Sequence, residues 1–139
     1  MKLISKEKNN YLIRFDRGEY LFENLKKFCQ DKKVYSAFFY GLGAVDFAKL
    51  GYYNLRSKKY RNKIFKKSFE IASLTGNISL HKDEIIIHAH GVFSDPGFKA
   101  VAGHVDDEKI AVTAEMYLVS LGSKVRRKYN PDIGLNLLV

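Results

Sequence analysis

Apolar and polar residues alternate over Tyr11-Leu-Ile-Arg-Phe15, which puts Tyr11, Ile13 and Phe15 on one face and Leu12 and Arg14 on the other. That period of two predicts a short first strand. The period then changes. Leu21, Phe22, Leu25, Phe28 and Cys29 fall on one side of a 3.6-residue repeat and predict an α-helix. Glu19 and Glu23 lie near its start, and Lys26, Lys27, Lys32 and Lys33 lie near or beyond its end, as the helix dipole favours. From Val34 onward the pattern is that of strands: Tyr35 to Tyr40, then Ala44 to Tyr53 after the interruption Gly41-Leu-Gly43. Further strands are predicted over Phe69 to Leu80, Glu84 to Phe93, Lys99 to Val105, Lys109 to Ser120 and Leu135 to Val139. Short connections such as Asp106-Asp107-Glu108 predict antiparallel neighbours. One main helix and about seven strands predict an α+β fold built on an antiparallel-dominated mixed β-sheet.

At 139 residues the chain is expected to form one domain, residues 1–139, and its 46% hydrophobic content supplies a core. The single cysteine, Cys29, rules out an internal disulfide and sits on the apolar helix face, where a buried, inert thiol is expected. Met1 to Asn10 lack the apolar core of a signal peptide, and no apolar run reaches the length of a membrane helix. A soluble, cytoplasmic protein is the expectation. Ten Phe and nine Tyr exceed what a small core needs and point to burial between subunits.

Lys and Arg outnumber Asp and Glu 24 to 15, for a formal charge of +9. Most of the excess comes from one acid-free stretch: Arg56, Lys58, Lys59, Arg61, Lys63, Lys66 and Lys67. With Tyr60 and Phe65 interleaved, this predicted loop suits phosphate contacts with aromatic stacking, and Lys58, Lys59, Arg61, Lys63, Lys66 and Lys67 are the candidate nucleic-acid-binding residues. A solvated loop is the alternative. Lys124, Arg126, Arg127 and Lys128 form a second cluster.

His88-Ala-His90 follows the β-branched run Ile85-Ile-Ile87, so both histidines project from one strand face. A turn around Ser94-Asp-Pro-Gly97 would bring His104 back beside them. Three neutral imidazoles with one open position suit a zinc ion, and unrelated histidines on a sheet are the alternative. His81, at a polar turn, is expected in solvent. Two carboxylates lie inside apolar strands, Glu70 and Glu115. Glu115 is the candidate catalytic residue for proton transfer, and Arg14 is a possible partner or anion anchor. Gly41-x-Gly43 lacks the third glycine and the following helix of a dinucleotide loop.

Taken together, Arg17-Gly-Glu19, Gly41-Leu-Gly-Ala-Val45, Leu50-Gly-Tyr-Tyr53, Phe69-Glu-Ile71 and Leu74-Thr-Gly-Asn-Ile-Ser79 form an ordered series with His88-Ala-His90, Ser94-Asp95, Ala102-Gly-His104 and Thr113-Ala-Glu115. The series resembles the PPC ("plants and prokaryotes conserved") domain, as a stand-alone prokaryotic member. The resemblance implies an α+β homotrimer with a metal, usually zinc, on His88, His90 and His104. Members are commonly described as DNA-binding. In plants, AT-hook segments around Arg-Gly-Arg-Pro make that contact, and this chain has no such sequence. The fold also resembles acetolactate decarboxylase, a zinc enzyme with a comparable His-x-His…His set. Two functions follow as expectations, beside a third possibility, an assembly module whose metal is purely structural. One is a zinc-binding homotrimer with a DNA-binding or regulatory role. The other is a zinc-dependent lyase or hydrolase acting on a small carbonyl or carboxylate substrate, with a small-molecule ligand at the metal.

Overall fold

The alternation at Tyr11, Ile13 and Phe15 buries all three side chains, and the strand that carries them, β2 (Asn10–Asp16), is preceded by one that the pattern did not announce, β1 (Lys2–Glu7). β1 has no buried residue, so no periodicity marks it; it exists by pairing along β2. The structure, a computed structural model, describes residues 1–139. Helix α1 (Leu21–Lys32) buries Leu21, Leu25, Phe28 and Cys29, as the 3.6-residue repeat requires. It ends where Lys33 turns left-handed (φ 54°) and donates its N–H to the carbonyls of Cys29 and Gln30.

The remaining strands are β3 (Ala37–Asn54), β4 (Lys59–Phe65), β5 (Phe69–His81), β6 (Glu84–Ser94), β7 (Ala100–Ser120), β8 (Arg127–Asn130) and β9 (Leu135–Leu138). Seven of them form one sheet in the order β1-β2-β7-β6-β5-β3-β4, and β3 pairs with β7 as well. The pairings β7–β6, β6–β5, β5–β3 and β3–β7 therefore close on themselves, a barrel-like ring around the core. Every strand pairing in this sheet is antiparallel, in line with the expected α+β fold of one main helix and about seven strands; the one parallel contact is an isolated bridge between Leu80 and Arg126. β8 and β9 form a separate hairpin.

Three expectations from the pattern need correction. The stretch around Gly41-Leu-Gly43 does not divide two strands. It is a register shift inside the 18-residue β3, where a Cβ on Gly41 would sit 2.8 Å from the Glu115 carbonyl oxygen and Gly43 takes φ +153°. These glycines let β3 and β7 approach closely. Asp106-Asp107-Glu108 is not a turn either. β7 runs straight through it for 21 residues because β3 pairs alongside, from Gly51 opposite His104 to Ala37 opposite Ser120. The extra residue is taken up as a bulge, with Leu50 opposite Val105 and Lys49 opposite Asp107. The basic stretch is no loop: Lys59 to Phe65 is β4, an edge strand paired to β3, whose charged side chains guard a free edge. No helix is long and apolar enough to cross a membrane.

Candidate metal centre

His88 and His90 share a face of β6, with buried Ala89 between them turned into the core. Strand register supplies the third residue, because His104 on β7 stands directly opposite His90. One candidate ligand nitrogen from each imidazole lies within 4.8 Å of the others, and the ring centroids are 5.2 to 5.6 Å apart. His88 and His104 are half-buried and His90 is exposed, so the cluster opens to solvent on one side.

Electrostatics favour ligation. Burial, reinforced by His104, Arg127 and His90, pushes the His88 imidazole down to about 4. Burial likewise lowers His104, against the opposing pull of Asp106. Both rings are therefore neutral near pH 7 and offer lone pairs. His104 Nε2 lies 3.5 Å from Asp106 Oδ1, while its Nδ1 is buried without any hydrogen-bond partner. An orphaned imidazole nitrogen within a convergent set of three is the arrangement a metal ion would complete, so these residues fit one. Asp106, the bulge residue, also holds Lys49 at 3.1 Å.

Two hairpins wall the cluster. Tyr60 of β4 stacks on His104 with ring centroids 5.1 Å apart, and Tyr53 of β3 packs on Tyr60 at 5.0 Å. From the other side, Arg127 of β8 reaches to Asn77, the residue opposite His88 on β5: its Nη2 donates to Asn77 Oδ1 at 2.8 Å. Its Nε donates to Ser79 Oγ at 2.7 Å and its Nη1 to the Asn136 carbonyl at 2.9 Å. The hairpins are latched together, since Tyr53 donates to the Ile133 carbonyl and Lys58 to that of Pro131, both at 2.6 Å.

Other candidate residues lie elsewhere. Glu115 is on β7 eleven residues from His104, on the order of 30 Å along the strand, exposed opposite Arg14 and Leu42. Within one chain it does not reach the histidines. Arg14 binds Asp16 instead, at 2.8 Å. Glu70 is exposed on β5 in a groove with Asp95 and Phe98. His81 is half-buried, with Nδ1 3.2 Å from the Arg127 carbonyl oxygen, so it meets β8 and not open solvent. Burial raises the Cys29 thiol to about 12, which leaves it inert. Strand alternation splits the basic stretch: Lys59, Arg61 and Lys63 share one face of β4, and Tyr60 faces the histidines on the other. Tyr60 is thus turned away from those cations and cannot add stacking to them, and Lys63 covers Phe65 at 4.9 Å. Lys67 is paired with Asp95 at 3.1 Å, and Lys66 lies just past the strand. Arg127 went unrecognised as a site residue because its neighbours Lys124, Arg126 and Lys128 make it look like surface charge.

The Plants and Prokaryotes Conserved (PCC) domain model matches residues 4–122, nearly the whole sheet and all three histidines. The chain belongs to that family. This PPC protein carries Arg127 beyond the matched residues. It superposes on a Bacteroides thetaiotaomicron protein provisionally called DNA-binding, with 30% identity, TM-score 0.93, and 97% of this chain and 94% of the other covered. A metal-containing protein from Archaeoglobus fulgidus is similar at 28% identity and TM-score 0.89, over 100% and 99%. Bacillus subtilis α-acetolactate decarboxylase shares the fold alone, at 12% identity and TM-score 0.58; the match covers 91% of this chain and 58% of the enzyme. No curated protein matches the chain.

Proposed function

We propose that the protein is a homotrimer whose function resides in a zinc centre on His88, His90 and His104, working as a zinc-dependent lyase or hydrolase on a small carbonyl or carboxylate substrate. The observation that carries this reading is the convergence of three imidazoles, two of them held neutral, at a cluster left open by exposed His90. A metal with a purely structural role would be enclosed. Zinc suits an all-nitrogen donor set and, when bound, supplies a Lewis acid toward a substrate oxygen. The chain's own residues do the rest. His104 is fixed between Asp106 and the Tyr60 ring, and the two latched hairpins shape the opening. Phe38, Tyr40 and Leu42, exposed by 49%, 54% and 58% along one face of β3, are the apolar surface that trimer formation would cover.

Metal analysis of untagged protein tests the centre. About one zinc per chain is expected, and none in the H88A/H104A double variant; stoichiometric metal in that variant would place the site elsewhere. Sedimentation equilibrium near three times 16.0 kDa tests the assembly, and a monomer at micromolar concentration would overturn it.

A second reading, DNA binding in a regulatory role, is favoured by the cationic face of β4 and by the similar Bacteroides protein. It predicts affinity for duplex DNA that falls steeply with salt, a slope flattened by K59Q/R61Q/K63Q and unchanged by H88A. The enzyme reading requires the reverse: H88A abolishes turnover and the β4 variant keeps it.

A further inference from the structure

Arg127 is a half-buried cation without a counter-ion. All three of its hydrogen bonds go to neutral acceptors, Asn77, Ser79 and the Asn136 carbonyl, and no carboxylate pairs with it. Asp106, the acid beside His104, is engaged by Lys49 and His104. A guanidinium carries five N–H groups. Three are committed here, which leaves one on each terminal nitrogen. The two terminal nitrogens of a guanidinium form a fork that the two oxygens of a carboxylate, or one edge of a phosphate, accept. Asn77 holds the fork next to His88, the residue it faces across the strands. Ser79 and the Asn136 carbonyl hold it in place through Nε and Nη1.

A charge withdrawn from water and left unpaired is costly, and proteins tolerate it where an anion arrives to complete it. The neighbours suit that role. The hairpin bearing Arg127 is latched to the one bearing Tyr53 and Tyr60, so the guanidinium and the histidine cluster share one opening. We propose that the opening over the histidines binds a small oxyanion and that Arg127 is its recognition residue, gripping the anion's two oxygens beside the metal centre. The proposal deepens the metal-centre reading and rests on it for the other end of the ligand. Arg127 is a specificity residue here. It holds the anion in place and takes no proton.

The test uses the full chain loaded with cobalt(II), whose visible absorption reports ligands reaching the centre. Glycolate and inorganic phosphate are titrated separately. A saturable spectral change with at least one of them is expected, weakened at least tenfold in R127Q and by less in R127K, with cobalt stoichiometry unchanged in both. Saturation by glycolate alone assigns a carboxylate, and saturation by phosphate alone assigns a phosphate ligand. Equal affinities in the wild type and R127Q, or no saturation with either anion, would overturn the proposal. If the wild type binds no cobalt, the metal-centre reading fails by itself. The Arg127 Nε–H resonance of the metal-free chain then decides: a shift that saturates with either anion supports the anion site, and its absence overturns it. That measurement needs no variant, so it also serves if R127Q fails to fold.

Discussion

Arg127 and Glu108 are both ionisable groups withdrawn from water without a partner of opposite charge, and their fates are opposite. Arg127 sits at the mouth of the histidine cluster, half-buried, with three neutral acceptors spread around its guanidinium. Glu108 lies in the middle of β7 opposite Ala48, fully buried among apolar residues, and neither carboxyl oxygen has a hydrogen bond. Burial, with Asp107 beside it, pushes Glu108 up to about 8, so it is a neutral acid at pH 7. A guanidinium cannot shed its charge near neutral pH, so the fold must solvate it with dipoles and leave it facing an opening. A carboxyl can take a proton and vanish into the core. A surviving unpaired charge therefore marks a place where a ligand fits, whereas an unpaired acid that has neutralised itself marks a stability cost. Nearby Asp107, also raised by burial, shares that environment with Glu23 and Lys49, and accepts the Glu108 backbone N–H at 2.9 Å.

The sharpest way to break this contrast is E108Q. Glu108 has a folded value above its ordinary 4.5, so its contribution to stability is complete below about pH 4.5 and is lost as pH rises towards 8. Relative to the wild type, E108Q should gain stability steadily between pH 5 and 8, on the order of 2–4 kcal/mol at the upper end. Urea unfolding across that range measures it, and parallel wild-type and variant curves would show that the carboxyl is not held neutral. R127Q should have the opposite sign and a smaller size, losing about 1–2 kcal/mol through its hydrogen bonds to β5 and β9. Because the guanidinium keeps its proton, that loss should be flat from pH 7 to 9, above the range in which His88, which Arg127 helps to lower, takes up a proton; a slope matching that of E108Q there would erase the distinction. The smallest effect belongs to the exposed Arg126–Asp83 pair, 2.9 Å apart on side chains 50% and 81% accessible. D83N should change the unfolding free energy measured in urea by no more than about 0.5 kcal/mol, and a change as large as that of R127Q would mean that burial is not what separates neighbouring arginines 126 and 127.

The sequence by itself determined the elements whose period is set by a one-sided core. Tyr11, Ile13 and Phe15 are legible as a strand, and Leu21, Leu25, Phe28 and Cys29 as a helix, because each buries one face. His88-Ala-His90 was legible for the same reason, since strand alternation alone puts both rings on one side. Only tertiary structure decided the rest. β1 and β4 have almost no buried face, so no pattern announces them, and each forms because a neighbouring strand offers its backbone groups. Asp106-Asp107-Glu108 has the composition of a turn, yet β3 keeps it extended; the bulge turns Asp106 to His104 and Lys49 and sends Glu108 into the core. Glu115 and His104 share a strand, but distance along β7 parts them, while His90 and His104, fourteen residues apart, meet through register. Arg127 is the extreme case: one cation in a run of four, given its place by Asn77, Ser79 and Asn136. Local sequence fixes which way a side chain leaves its own strand, and what it then meets depends on contacts between strands that no local pattern encodes.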